Sequence, residues 1–338
     1  MYHDPVAVAP LLDAAGRRAH HGPARAAADP GATAAAGRRE GDQVTGTDQR
    51  RATWCALGAV ALWSTVATAF KLGLRVVDVY RLLLVAVVVS LACLSLVLLA
   101  QRRLRELGRP PAGERARAAA LGALNPFAYY LVLLAAYDRL PAQVAQPINY
   151  TWALTLSWLA IPVLRQRPGR RVLVAGVVCY AGVFLIATGG RLSGAGAADP
   201  LGVGLALGST VLWAAYWLAN TRSRLDPVVG LWWNFAGAVP LCAAATVWRS
   251  SFVLPAAGWA AGAYLGAVEM GFAYVLWLGA LRRAASAAKV ANLIFLSPPL
   301  SLVLINFVLR EPVRPATVAG LGLIIAGLWW QRRDGAAA

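Results

Sequence analysis

Glu269 is the carboxylate that falls deep within a long apolar run of this chain. It stands about twelve residues from the end of that run, which at ~1.5 Å per residue is ~18 Å deep, near the midplane of a ~30 Å hydrocarbon core. A charged group there costs at least ~2.5–3.5 kcal/mol, so it needs a partner or a task. Two readings fit: a site for a substrate ammonium group or a coupling proton, or a protonated carboxyl hydrogen-bonded to a neighbouring helix. Lys71 and Lys289 fall near the ends of their runs, where long stems can snorkel to the interface. Lys71 also shares a helical face with Trp63 and Phe70.

Aromatic side chains form the second set. Trp213, Tyr216, Trp217 and Asn220 recur at i, i+3, i+4 and i+7, one stripe of a helix, and Glu269, Ala273 and Trp277 form another. Pro147, Asn149, Tyr150 and Trp152 cluster together, and Asn292 precedes the pair Pro298-Pro299. A proline within a span removes a backbone hydrogen bond and leaves a carbonyl that a cavity can use. Trp63, Trp213 and Tyr274 fall near the middle of their runs rather than at the ends, where interfacial belts sit, so a cavity lining and plain packing both fit them.

These residues are positioned by a very apolar chain. Of 338 residues 59% are hydrophobic and 14% charged, against roughly 25% charged in an ordinary soluble domain. The net charge of +17 comes almost wholly from arginines set in short clusters between apolar runs, so a nucleic-acid partner is not expected. All three histidines precede the first apolar run and the four cysteines are widely spaced, which argues against a metal site, a histidine base or any cofactor.

Ten windows satisfy the ~20 apolar residues a spanning helix needs: 54–74, 78–100, 116–137, 142–164, 170–189, 201–221, 228–248, 257–281, 287–309 and 315–331. The expected fold is an all-α membrane protein with ten transmembrane helices. Residues 1–51 carry no periodic pattern and read as a disordered tail, with Val44 proposed as the true start. With the N-terminus inside, eighteen loop arginines are cytoplasmic and seven external, which puts both termini in the cytoplasm of a multi-pass protein of the inner membrane.

The chain also resembles itself. LGALNPFAYYLVLLAAYDRL from Leu121 aligns with LGAVEMGFAYVLWLGALRRA from Leu265. Gly122 matches Gly266 at an offset of 144, and Phe127 matches Phe272 at 145, after one inserted residue. Two five-span repeats are expected, at 52–189 and 200–333, and an odd span number turns the second upside-down. Inverted repeats place a substrate site near the midplane of secondary transporters.

The motifs ALWST (Ala61–Thr65), INYTW (Ile148–Trp152), LWAAYW (Leu212–Trp217), GFAY (Gly271–Tyr274) and SPPLSLVLINFVLREPV (Ser297–Val313) resemble the drug/metabolite transporter superfamily, EamA-type, over roughly residues 54–333. LWST, NY-x-W, WAAY and GFAY are similar to its aromatic amino acid exporter branch. The resemblance implies two EamA repeats around a central cavity, with Trp63, Tyr150, Trp152, Trp213, Trp217, Tyr274 and Trp277 in its wall. The expected function is export of amino acids or similar small metabolites by alternating access, with a small-molecule substrate and the lipid bilayer as partners and a proton as a candidate coupling ion. Asn149, Glu269 and Asn292 join the aromatics as candidate substrate-binding residues. The alternatives are multidrug or nucleotide-sugar transport, a passive channel, and an intramembrane lipid-modifying enzyme. The last would need paired acids or metal ligands at membrane depth.

Overall fold

The computed structural model describes residues 46–164, 170–190, 198–284, 290 and 292–332. Residues 1–45 of the expected tail with the Val44 start, Lys289, and the loop arginines Arg165, Arg167, Arg191 and Arg333 lie outside these residues, whereas residues 46–51, counted with that tail in the sequence, are helical. Every regular element among the described residues is helical.

Six helices are long and apolar enough to cross a membrane: 49–74, 79–100, 112–139, 200–220, 227–249 and 256–283. Shorter apolar helices run at Leu173–Thr188, Leu293–Leu309 and Pro315–Trp330. The window at 142–164 divides into helices at Ala142–Asn149 and Trp152–Leu164, with a turn at Tyr150–Thr151. Large apolar side chains stand exposed on the outer surface, Val177, Phe307 and Val318 among them. That is the arrangement of a surface that meets hydrocarbon rather than water.

Several elements take their form from local chemistry. The first long helix consists of α1 (Gly46–Ser64) and α2 (Val66–Leu74). Ser64 Oγ donates to the Val60 carbonyl and Thr65 Oγ1 to that of Leu62, hydroxyl contacts that compete with the helical ladder at the junction. Helix α3 (Val79–Ala100) starts at Asp78, whose Oδ1 accepts from the Tyr80 and Arg81 amides. Then come α4 (Ala112–Leu121), a π-helical stretch (Ala123–Ala128) and α5 (Tyr129–Arg139). Inside that stretch Asn125, just before Pro126, leaves helical geometry at φ −146 and ψ 121.

After α6 (Ala142–Asn149), α7 (Trp152–Leu164) and α8 (Arg170–Thr188), the helix α9 (Pro200–Asn220) has Asp199 as cap, and α10 (Pro227–Arg249) has Asp226. Helix α11 (Ala256–Tyr264) passes through a second π-helical stretch, Leu265–Phe272, into α12 (Ala273–Arg283). Pro298 and Pro299 do not sit mid-helix as expected. A 3-10 turn at Leu293–Leu296 precedes them and α13 (Ser297–Leu304) restarts with proline in its first turn, where the missing N–H breaks no helical bond. Helix α14 (Pro315–Arg332) follows a third π-helical stretch, Ile305–Leu309.

The helices meet through small residues and carboxylate ties. Gly182 of α8 and Gly320 of α14 face each other so closely that a Cβ on either would lie 2.5–2.6 Å from the other's carbonyl oxygen. Gly122 lies against the Asn234 carbonyl of α10, and Gly266 against the Ala86 carbonyl of α3. Helices α3 and α10 run antiparallel, joined near the carboxyl end of α3 where Trp232 Nε1 donates to Ser95 Oγ at 2.8 Å. At one end Asp78 accepts from Ser250 Oγ at 2.6 Å. At the other, Asp226 meets Arg103 at 3.0 Å and Arg282 at 2.7 Å. Each capping aspartate therefore ties the start of its own helix to the region just past its partner's end.

Candidate functional site

A cavity of about 150 Å3 lies among α1, α2, α5, α6, α9 and α12. Helix α1–α2 supplies Trp63, Val66, Ala67 and Phe70, at i, i+3, i+4 and i+7 on one face. Helix α5 supplies Tyr129, Leu133 and Tyr137, four residues apart. The broken fourth apolar window contributes Gln146, Asn149, Tyr150 and Trp152, on both sides of its turn. Pro147 and that turn let a short segment present four polar or aromatic side chains to one space.

From α9 come Trp213 and Trp217, one turn apart. The rest of their sequence stripe goes elsewhere. Tyr216 is buried away from the cavity with its hydroxyl 2.7 Å from the Asn234 amide, and Asn220 is not in the wall. The segment 265–283 contributes Glu269, Tyr274 and Trp277. Five residues separate Glu269 from Tyr274, a spacing that ordinary α winding would send to different faces. The π-helical winding of Leu265–Phe272 holds an extra residue per turn, so both reach the cavity. The residue inserted between the two self-similar segments falls in this stretch.

The rings pack around Trp213. Its ring centroid lies 4.6 Å from Tyr129, 5.8 Å from Trp217, 6.3 Å from Trp152 and 6.4 Å from Tyr274. Trp63 stands edge-on to Tyr274 at 5.7 Å and tilted to Trp277 at 5.4 Å. Offset and edge-on contacts of this kind hold rings rigidly and keep their faces available.

The polar atoms are unevenly satisfied. Glu269 Oε1 accepts from Tyr130 at 3.0 Å, while its Oε2 is buried with no partner. Trp213 Nε1, Trp217 Nε1 and Gln146 Oε1 are likewise buried and unpartnered. An unmade buried hydrogen bond costs about 1–3 kcal/mol, and four such atoms belong to residues of this one wall. Asn149 is already engaged: its Nδ2 donates to Ser209 at 2.9 Å and its Oδ1 accepts from Tyr129 at 3.4 Å. The wall can thus offer a carboxylate and an amide oxygen as acceptors, two indole donors, and ring faces for a cation.

Of the residues singled out in the sequence, Trp63, Asn149, Tyr150, Trp152, Trp213, Trp217, Glu269, Tyr274 and Trp277 share this cavity. Asn292 does not: it is exposed and outside the wall, and Ile294 two residues on reaches the cavity instead. Lys71 is not in the wall. Its ammonium donates to the carbonyls of Tyr137 at 2.8 Å and Leu140 at 3.1 Å, closing the carboxyl end of α5. Sequence reasoning missed Tyr129, Tyr130, Tyr137 and Gln146. The repeat of aromatic or large apolar residues at 129, 133 and 137 was the available signal for α5.

A family model described as the EamA-like transporter family matches residues 50–188 and 200–331. A solved crystal structure, that of a protein with no function stated, is similar at 22% identity with a TM-score of 0.59, covering 83% of this chain and 96% of its own. That likeness is one of fold. No curated protein matches.

Proposed function

Because the chain belongs to the EamA-like transporter family and is a multi-pass membrane protein of that kind, we propose that it is a secondary transporter exporting amino acids or similar small metabolites from the cytoplasm. Its ten spans form two inverted five-helix halves, at 52–189 and 200–333, that rock about the aromatic cavity. Both termini lie in the cytoplasm of an inner-membrane protein, on the argument of eighteen loop arginines against seven. The paired contacts support this organisation: Gly122 meets the second helix of the other half, and Gly266 does the same in return. The two capping aspartates, Asp78 and Asp226, occupy matching places at opposite ends of the α3–α10 pair.

One observation carries the substrate class. The cavity holds unpartnered groups of both polarities, Glu269 Oε2 as acceptor and the indole N–H groups of Trp213 and Trp217 as donors, among stacked rings. A zwitterion satisfies both kinds at once: an ammonium at Glu269, a carboxylate at the indoles, and an apolar side chain against the rings. Size points the same way, since a dry cavity of ~150 Å3 takes a molecule about as large as benzene, whereas drug-sized ligands occupy about 300–1,000 Å3. Glu269 also serves as the seat of a coupling proton when the substrate has left, so one carboxylate exchanges ammonium for proton.

Everted membrane vesicles loaded by a proton gradient, with labelled amino acids outside, test this. Wild-type protein should accumulate label and Glu269→Gln should lose at least ten- to a hundredfold of the rate, the scale of a lost charge-assisted contact. Equal transport and equal pH dependence in the two would remove Glu269 from the mechanism. Accumulation of cationic dyes in preference to amino acids would favour multidrug export.

A further inference from the structure

We propose that a second site, separate from the aromatic cavity, binds a phosphate group, presented by an anionic phospholipid at the membrane surface. It is a pocket of about 290 Å3 between the first turns of α4 and the loop that follows α9, with Arg117, Arg222, Arg224, Ser223 and Glu114 in its wall.

Three arginines converge on this one pocket. Some arginines near helix ends are neutralised by carboxylates: Arg81 by Asp78, Arg139 by Asp199, Arg103 and Arg282 by Asp226. Arg117, Arg222 and Arg224 form no ion pair among the described residues, although Glu114 belongs to the same wall. Arg117 spends one guanidinium nitrogen on the Ala219 carbonyl at 3.2 Å, which fixes its plane and leaves the rest of its donors to the pocket. Ser223 Oγ accepts from the Leu225 amide at 3.3 Å, so its own O–H is free to donate inward. Three planar forks and a hydroxyl, with a single carboxylate against them, match the tetrahedral oxygens of a phosphate mono- or diester.

Depth selects the lipid as the source. The pocket sits where α4 begins and α9 ends, the level at which spanning helices leave hydrocarbon and meet headgroups. Next to it Arg115 lies over the Trp233 ring at 5.8 Å, the amphipathic pairing found at membrane interfaces. Basic pockets between helix ends at a cytoplasmic surface are suited to anionic headgroups.

The full chain in neutral detergent, titrated with phosphatidylglycerol or phosphatidylcholine and read by native mass spectrometry, tests the assignment. The anionic lipid should be retained in preference, with affinity falling as ionic strength rises. Arg222→Gln with Arg224→Gln should weaken that retention by about tenfold or more, and Glu114→Gln should strengthen it. The gain in the second variant is an effect that misfolding does not imitate. Binding of inorganic phosphate with no preference for the anionic lipid would support the phosphate chemistry and replace the lipid by a soluble source. Equal retention of the two lipids with no binding of inorganic phosphate, or unchanged affinities in both variants, would overturn the proposal.

Discussion

The proposed substrate selection turns on single atoms of the central cavity. Trp213 is the test of the donor pole, because Trp213→Phe keeps a ring at the hub and removes the unpartnered indole N–H. The KM for the exported amino acid should rise by about two- to tenfold, the value of one hydrogen bond, with little change in expression or in transport of the matching decarboxylated amine. A KM that stays put would place the carboxylate elsewhere. Asp226 acts at the protein surface in a different way. Burial alone would raise its carboxyl, but Arg282 and Arg103 outweigh that and hold it below the usual carboxylate value. A depressed carboxylate stabilises the fold above its unfolded pKa of about 3.9 and loses that contribution as pH falls through the lower folded value. Thermal stability of the purified protein should therefore drop below about pH 4. Asp226→Asn should flatten that limb and cost about 1–2 kcal/mol near neutrality through the weakened cap and ties. A wild-type acid limb retained in Asp226→Asn would assign it to another group. Residue type and depth made Glu269 legible in the sequence; Tyr130, which holds one of its oxygens, was not, because the pair is 139 residues apart.

Elements decide which of these atoms meet. The stretch Leu265–Phe272 is the clearest case, since its wider winding puts Glu269 and Tyr274 in one cavity. Deleting Val268 would return one residue to the helix and rotate Glu269 by about 100° against Tyr274. Membrane insertion should persist, because the segment stays apolar, while amino acid export falls to background. Export at the wild-type rate would mean that the winding has no part in positioning. Periodicity in the sequence gives the stripe at Trp213 and Trp217 but counts Tyr216 and Asn220 with it; a hydrogen bond to Asn234 of α10 holds the Tyr216 hydroxyl instead. Asn292 was misplaced for a similar reason. The segment before Ser297 is a 3-10 turn, in which the face of a residue differs from that of an α-helix.

At the scale of the whole molecule the fold is a membrane-embedded bundle held by close glycine contacts and by aspartate ties at both ends of α3 and α10. The arginine imbalance predicts its direction in the membrane. A reporter that fluoresces only in the cytoplasm should be bright when fused after Ala338, and a phosphatase that folds only outside should be inactive there. The reverse pair of signals would invert the proposed orientation and with it the direction of export. The sequence by itself determined that the chain is helical, that it crosses a membrane, that it belongs to its family, and which residues were costly enough at depth to need a task. Those properties follow from local composition, because hydrocarbon penalises each unpaired polar group wherever it lies in the chain. Only the tertiary structure decided that Trp63, Asn149, Trp213 and Glu269 share one cavity, that Asn292 and Lys71 do not, and that Arg117, Arg222 and Arg224 meet in one surface pocket. Contacts between residues that far apart depend on how helix faces pack and wind, and a one-dimensional pattern does not specify it.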